Sequence, residues 1–331
     1  MRRALLLVLP LAACQPDFDF DLDLSFGDHT VGQLGAVTFS LVDGCPDDGF
    51  FGCPNALPVF AIGARPRFVI GSIDGRVEHE RRIAAATARS TVSSVAAAEI
   101  DDTGMLVVQG LAEGHTAIEI LDGNDVIDRI ALEVAPIHTL EAGKESTTVL
   151  VATPIGARIT ARDPAGRLLY ARGAVTASTS GTLVLDADNQ GFFAASDQVA
   201  VFGELPGEAT VSFSANAAHV DVPYRVVETS SISKITLAEL PLDATVGNKT
   251  RLYAQAFVGD ERVRGGATCE WSIVSGGGPD AALAAGTHDD RRWALFQLFD
   301  QAILYGSGDV VVQCRANPDV AGQATVHLLQ Q

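Results

Sequence analysis

The chain has 331 residues, 47% of them hydrophobic, and a formal net charge of −18. That apolar share fills real cores and excludes a disordered chain, and the length suits about two to three domains. The negative field repels phosphate backbones, which excludes nucleic acid as a natural partner. The only lysines are Lys144, Lys234 and Lys249, so no lysine-rich run is present to grip an anionic membrane.

The chain opens with MRRALLLVLPLAAC, in which Arg2 and Arg3 precede the ten-residue apolar run Ala4 to Ala13. A bilayer span needs about 20 residues; the shorter run behind a cationic start fits a secretory signal. Its end, Leu11-Ala12-Ala13-Cys14, resembles the lipobox of bacterial lipoproteins. The resemblance implies removal of residues 1–13 and a lipidated N-terminus at residues 14–16. The Cys14 sulfur would carry a diacylglyceryl group, and acyl chains would make the membrane its first partner. Gln15 stands where an Asp would favour inner-membrane retention, so the outer membrane is preferred. The alternative is an ordinary signal peptide that ends near a cysteine.

Next comes DFDFDLDLSF at residues 17–26, with Asp17, Asp19, Asp21 and Asp23 alternating with Phe18, Phe20, Leu22 and Leu24. As a strand, its carboxylates stand about 6.6–6.8 Å apart along one face. That spacing makes no compact calcium cage, and charges on an edge strand discourage aggregation. The stretch is expected to be a first strand close to the membrane.

The rest reads as β throughout. AVTFSLV (36–42), TAIEIL (116–121), RIALEV (129–134), ATVSFSA (209–215), RLYAQAFV (251–258) and DVVVQCRA (309–316) alternate apolar and polar residues between turn signals. Residues 78–100 are alanine-rich enough for a short helix, but Thr87, Thr91, Val92 and Val95 favour strand and loop. A weak repeat runs along the chain. A turn glycine precedes a strand at Gly32, Gly143 and Gly247. A second glycine signal recurs at Gly114, Gly207 and Gly308, 93 and 101 residues apart. That period suits a sandwich of about 100 residues.

TGMLVVQGLAEGHTAIEI (103–120) resembles the core of group 2 bacterial immunoglobulin-like domains, and CEWSIVSG (269–276) resembles their Trp-containing strand. The resemblance implies tandem immunoglobulin-like β-sandwiches, here at 17–136, 137–228 and 229–331. It brings no catalytic residues and no cofactor. Short links at VAPIH (134–138) and VVETSSIS (226–233) predict an elongated rod.

Four cysteines remain besides Cys14, and they allow three pairings in an exported protein. The preferred pairs are Cys45–Cys53, closing a tight loop, and Cys269–Cys314, with Trp271 near it. The first unit spans 82 residues between its glycine signals, against 64 and 61 in the others. The Cys45–Cys53 loop belongs to that insertion. Phe50 and Phe51 at its tip are a candidate anchor for a protein or glycan ligand, or else cover a satellite core.

Chemical motifs are scarce. No G-x-S-x-G, H-E-x-x-H, P-loop or C-x-x-C pattern occurs. His79 and His288 sit beside acids without a second ligand at metal spacing. Asp122, Asn124 and Asp125 could give calcium some of its six to eight oxygens, but Asp-Gly and Asn-Asp are also hairpin residues. GSGD (306–309) is followed by a strand, not by the helix a phosphate loop needs. The expected function is a non-catalytic binding, adhesion or spacer module of the cell envelope. Its rivals are an assembly partner that binds through a sheet edge and an envelope hydrolase with no local signature.

Overall fold

The computed structural model describes residues 30–42, 57–73, 83, 86–143, 146–185, 198–239, 249–265, 269–277, 281–285 and 300–328. The lipobox with Cys14, the acidic ladder, Cys45, Cys53, Phe50, Phe51, His79 and His288 lie outside the described residues.

The first unit contains β1 (Thr30–Val31), β2 (Val37–Leu41), β3 (Val59–Ala61), β4 (Arg67–Ser72), β5 (Thr87–Ser90), β6 (Ala96–Ile100), β7 (Leu106–Gly110), β8 (Gly114–Asp122) and β9 (Asp125–Ala135). One sheet is ordered β1-β2-β4-β7-β6 and the other runs β3-β9-β8-β5. The entering segment divides its pairing between the two sheets: β2 runs antiparallel to β4, and β3 runs parallel to β9. This is the two-sheet immunoglobulin-type arrangement.

The second unit repeats it with β10 (Thr139–Ala142), β11 (Thr148–Leu150), β12 (Pro154–Arg162), β13 (Leu168–Tyr170), β14 (Thr176–Gly181), β15 (Leu183–Leu185), β16 (Gln198–Gly203), β17 (Gly207–Ala215) and β18 (Ala218–Val227). Here β10-β12-β16-β15 oppose β11-β18-β17-β14. The third comprises β19 (Lys234–Glu239), β20 (Lys249–Val258), β21 (Glu261–Arg264), β22 (Glu270–Gly276), β23 (Ala282–Ala285), β24 (Asp300–Tyr305), β25 (Gly308–Asn317) and β26 (Val320–Leu328). Its sheets are β19-β20-β24-β23 and β22-β25-β26. The expected all-β tandem of sandwiches is therefore the fold.

The alternation read from sequence sets the burial. In β9, Ile130, Leu132 and Val134 are buried while Arg129 and Ala131 are exposed. Within the alanine-rich stretch, residues 87–90 and 96–100 are strands, held by antiparallel pairing with β8 and β7 respectively.

The late glycines open β8, β17 and β25. Gly114 and Gly207 share φ of +148° and +147°, and a Cβ there would press at 3.0 Å on Val95 and Thr182 respectively. The early glycines are not equivalent, since Gly32 precedes β2 whereas Gly143 follows β10. The extra length of the first unit falls between β2 and β3, at residues 42–58, where the second unit needs only 143–147.

One apolar core runs from Val37 through to Val226 across the first two units. A second cluster joins Leu150 and Val227 to Ile232, Ile235 and Val263 of the third.

Candidate functional site

The acidic turns are built as turns. Asp122 faces Asp125 across the two-residue Gly123-Asn124 hairpin between β8 and β9, and Asn124 and Asp125 are exposed. Asp101 of the DDTG turn accepts from the Thr103 hydroxyl at 2.6 Å and the Met105 amide at 3.0 Å. Those bonds, the Thr103 hydroxyl foremost, hold its carboxyl below the usual range. Among the described residues no three His, Cys, Asp or Glu side chains gather as a metal site.

Cys269 and Cys314 form a disulfide with Cα atoms 5.3 Å apart, within the usual span. Cys314 lies in β25 opposite Trp271 of the neighbouring β22, so the bridge ties adjacent strands of one sheet. Asp300 of the opposite sheet accepts from the Cys269 amide and from Trp271 Nε1 at 3.3 Å.

Two joints between units are the most elaborate polar constructions in the described chain. At the first, β3 lies parallel to β9 of its own unit and to β13 of the next. Phe60 meets Tyr170 edge-on, with ring centroids 5.5 Å apart, and burial pushes the Tyr170 phenol up. Beside them Arg167 binds Glu133 through two nitrogens, at 2.7 and 3.1 Å, and Asp163 at 2.7 Å. The Arg167 hydrogen bond holds the Glu133 carboxyl down. Asp163 is also held down: its burial opposes this, but side-chain and backbone bonds from Arg167 prevail.

At the second joint, β11 lies parallel to β18 and to β21. Glu261 accepts from Arg225 at 2.6 Å and from the Thr148 hydroxyl at 2.8 Å. Arg264, only 2% exposed, donates to the Gly156 carbonyl at 2.7 Å.

Asp128 on β9 is fully buried. Its Oδ1 accepts from the amides of Leu34 and Arg129 and its Oδ2 from those of Ala36 and Val37, all at 2.7–2.8 Å. It thereby pins the turn before β2, and Gly32 is needed because a Cβ there would lie 2.3 Å from the carboxylate. A cleft of about 380 Å³ opens nearby, lined by Val31, Leu57, Val59, His115, Leu132 and Glu133 among others.

The outer face of β17 and β18 carries a hydroxyl–imidazole–carboxylate chain. Ser214 Oγ lies 2.9 Å from His219 Nδ1, and His219 Nε2 lies 2.9 Å from Asp221, which also accepts from Ser212 at 2.6 Å. The Ser212 hydroxyl, and then His219, hold the Asp221 carboxyl down against its desolvation. The network has the three groups of a hydrolytic triad. However, His219 and Asp221 are more than half exposed, and β17 has hydrogen-bonded strands on both sides, which occupy the amides an oxyanion would need. It is a cross-strand surface network.

Asp128, Asp163, Arg167, Glu261 and Arg264 are not among the residues that the sequence motifs single out. Asp128 had a signal: period-two alternation places it on the face of Ile130, Leu132 and Val134. An acid on an apolar face demands buried donors. The joint residues had none, because their partners lie on other strands.

No family model and no curated protein matches the chain. Among solved structures, the chain is similar to domains 4–9 of the surface layer protein SbsC, with 13% identity over 91% of this chain and a TM-score of 0.32. It spans 46% of that structure's length. It is also similar to extracellular domains 3–5 of Drosophila OTK, with 9% identity over 88% of this chain and 97% of that one, at a TM-score of 0.22. The adhesin InvE of Yersinia pseudotuberculosis shows 14% identity over 57% of this chain and 58% of its own, at a TM-score of 0.23.

Proposed function

We propose that this chain is an exported, lipid-anchored module of the cell envelope, whose tandem sandwiches bind or space without catalysis. The joints carry the reading. Each of the first two units shares a short strand with the next, so the units form a continuous body suited to a stalk. The Cys269–Cys314 disulfide supports an oxidising compartment. The lipobox supports attachment through Cys14 and, with Gln15, delivery to the outer membrane. The ligand class is a protein or glycan, and Phe50 and Phe51 are the candidate contacts read from the sequence.

Protease treatment of intact cells tests display: a surface module is shaved away, whereas complete protection contradicts surface display and leaves a periplasmic position. Substitution of Cys14 by Ser should release the protein from the membrane fraction; persistent sedimentation removes the anchor from the reading.

A second reading, assembly through a sheet edge, draws support from β14. Among the described residues this six-residue strand, Thr-Ala-Ser-Thr-Ser-Gly, stands at a sheet edge and carries no charge or proline, the usual guards against strand addition. Substitution of Ser178 by Lys should then abolish partner capture while leaving the fold intact, and unchanged capture would discard this reading.

A further inference from the structure

The two joints have one register and opposite charges. Val134 and Val226 pair with the central residues of the shared strands, Phe60 and Val149. Those central residues pair onward with Tyr170 and Arg264 of the following units. Glu133 and Arg225, each one residue before its valine, therefore hold equivalent places. Arg167 and Glu261, each three residues before Tyr170 or Arg264, do so too. Glu133 binds Arg167 at 2.7 Å across the first joint, and Arg225 binds Glu261 at 2.6 Å across the second. The geometry is the same and the polarity is reversed.

We infer that each joint is keyed by this one ion pair, and that the alternation of polarity decides which unit can follow which. A hairpin led by arginine fits behind Glu133 and is repelled behind Arg225; a hairpin led by glutamate does the reverse. The pairs are partly exposed, with side chains 30–62% accessible, so their attraction adds little stability. Their value is discrimination, because a like-charged pair replaces that attraction with repulsion at the docked interface. Each leading residue is also held in place from a second side: Arg167 by Asp163 at 2.7 Å, and Glu261 by the Thr148 hydroxyl at 2.8 Å. Neighbouring repeats with similar cores otherwise risk joining in the wrong order.

The inference deepens the tandem-module reading and rests on it. It is tested on the purified full chain in detergent, so it can fail while the cell-based shaving and fractionation results stand, and the reverse. The chain's two tryptophans, Trp271 and Trp293, both follow the second joint in sequence, so their fluorescence reports on the third unit. Unfolding in urea, which leaves charges unscreened, gives the midpoint. Glu261→Gln removes the attraction, and Glu261→Arg adds repulsion by Arg225. The expected result is a clearly larger fall in midpoint for Glu261→Arg than for Glu261→Gln, with at least half of that fall recovered by adding Arg225→Glu. The gap between the two single variants should shrink in about 1 M salt, where the screening length is about 3 Å. Equal falls for Glu261→Gln and Glu261→Arg, or losses that simply add in the double variant, overturn the key.

Discussion

Replacing Asp128 by Asn changes one buried oxygen into an NH₂ group and leaves the shape of the side chain intact. The carboxylate now serves four amides, two on each oxygen. Asparagine can serve only two, and its NH₂ must face the others. The better retained pair is Ala36 and Val37, because Leu34 is 55% exposed and its amide is nearer to water. An orphaned buried donor costs about 1–3 kcal/mol, and the surviving bonds lose their charge assistance. With part of the loss relieved by hydration at Leu34, the substitution should cost about 2–3 kcal/mol. Because one apolar core spans the first two units, that corresponds to a fall in melting temperature of about 4–12 °C, at about 2–4 °C per kcal/mol for a body of about 150–250 residues. Asp128→Ala, which leaves all four amides without their acceptor, should cost more. Far-UV circular dichroism is the appropriate assay, since both tryptophans lie far along the chain from this site. An Asn variant within about 0.5 kcal/mol of the parent, the range of ordinary surface changes, would refute the assignment of Asp128 as the latch of β2.

Removing both Cys269 and Cys314 should destabilise the third unit by about 4 kcal/mol, the chain-entropy value for a loop of 45 residues; tryptophan fluorescence during thermal unfolding checks this. Gly32→Ala should destabilise the first unit by about 1–3 kcal/mol through overpacking against Asp128, measured by circular dichroism. Glu133 and Asp163 are held below their ordinary values in the folded state. They contribute stability above the unfolded carboxyl range of about 4, and lose it as pH falls through their folded values. The first joint should therefore weaken below about pH 4, and Arg167→Met should flatten that part of the urea-midpoint profile against pH when unfolding is followed by far-UV circular dichroism. A fluorophosphonate probe should label Ser214 no faster than other exposed serines; rapid labelling abolished by His219→Ala would revive the hydrolase reading.

The amino-acid sequence determined the strands, because side-chain alternation is a local property: Ile130, Leu132 and Val134 announce a buried face without reference to anything distant. It also marked the unit spacing, since Gly114 and Gly207 occupy backbone conformations that few other residues adopt. It placed Cys269 next to a tryptophan strand, but not the sheet in which its bridge would lie. The joints were decided only by tertiary structure. Thr148 and Glu261 are 113 residues apart, and Glu133 and Arg167 are 34. A charged residue on a strand looks like a solvated face until another unit is set against it. Asp128 stands between the two cases. Its place on an apolar face was legible in the sequence, but its role depended on four amides, three of them more than 90 residues away. Periodicity follows from neighbours along one chain, whereas pairing depends on which strands meet, and that is settled only when the whole fold closes.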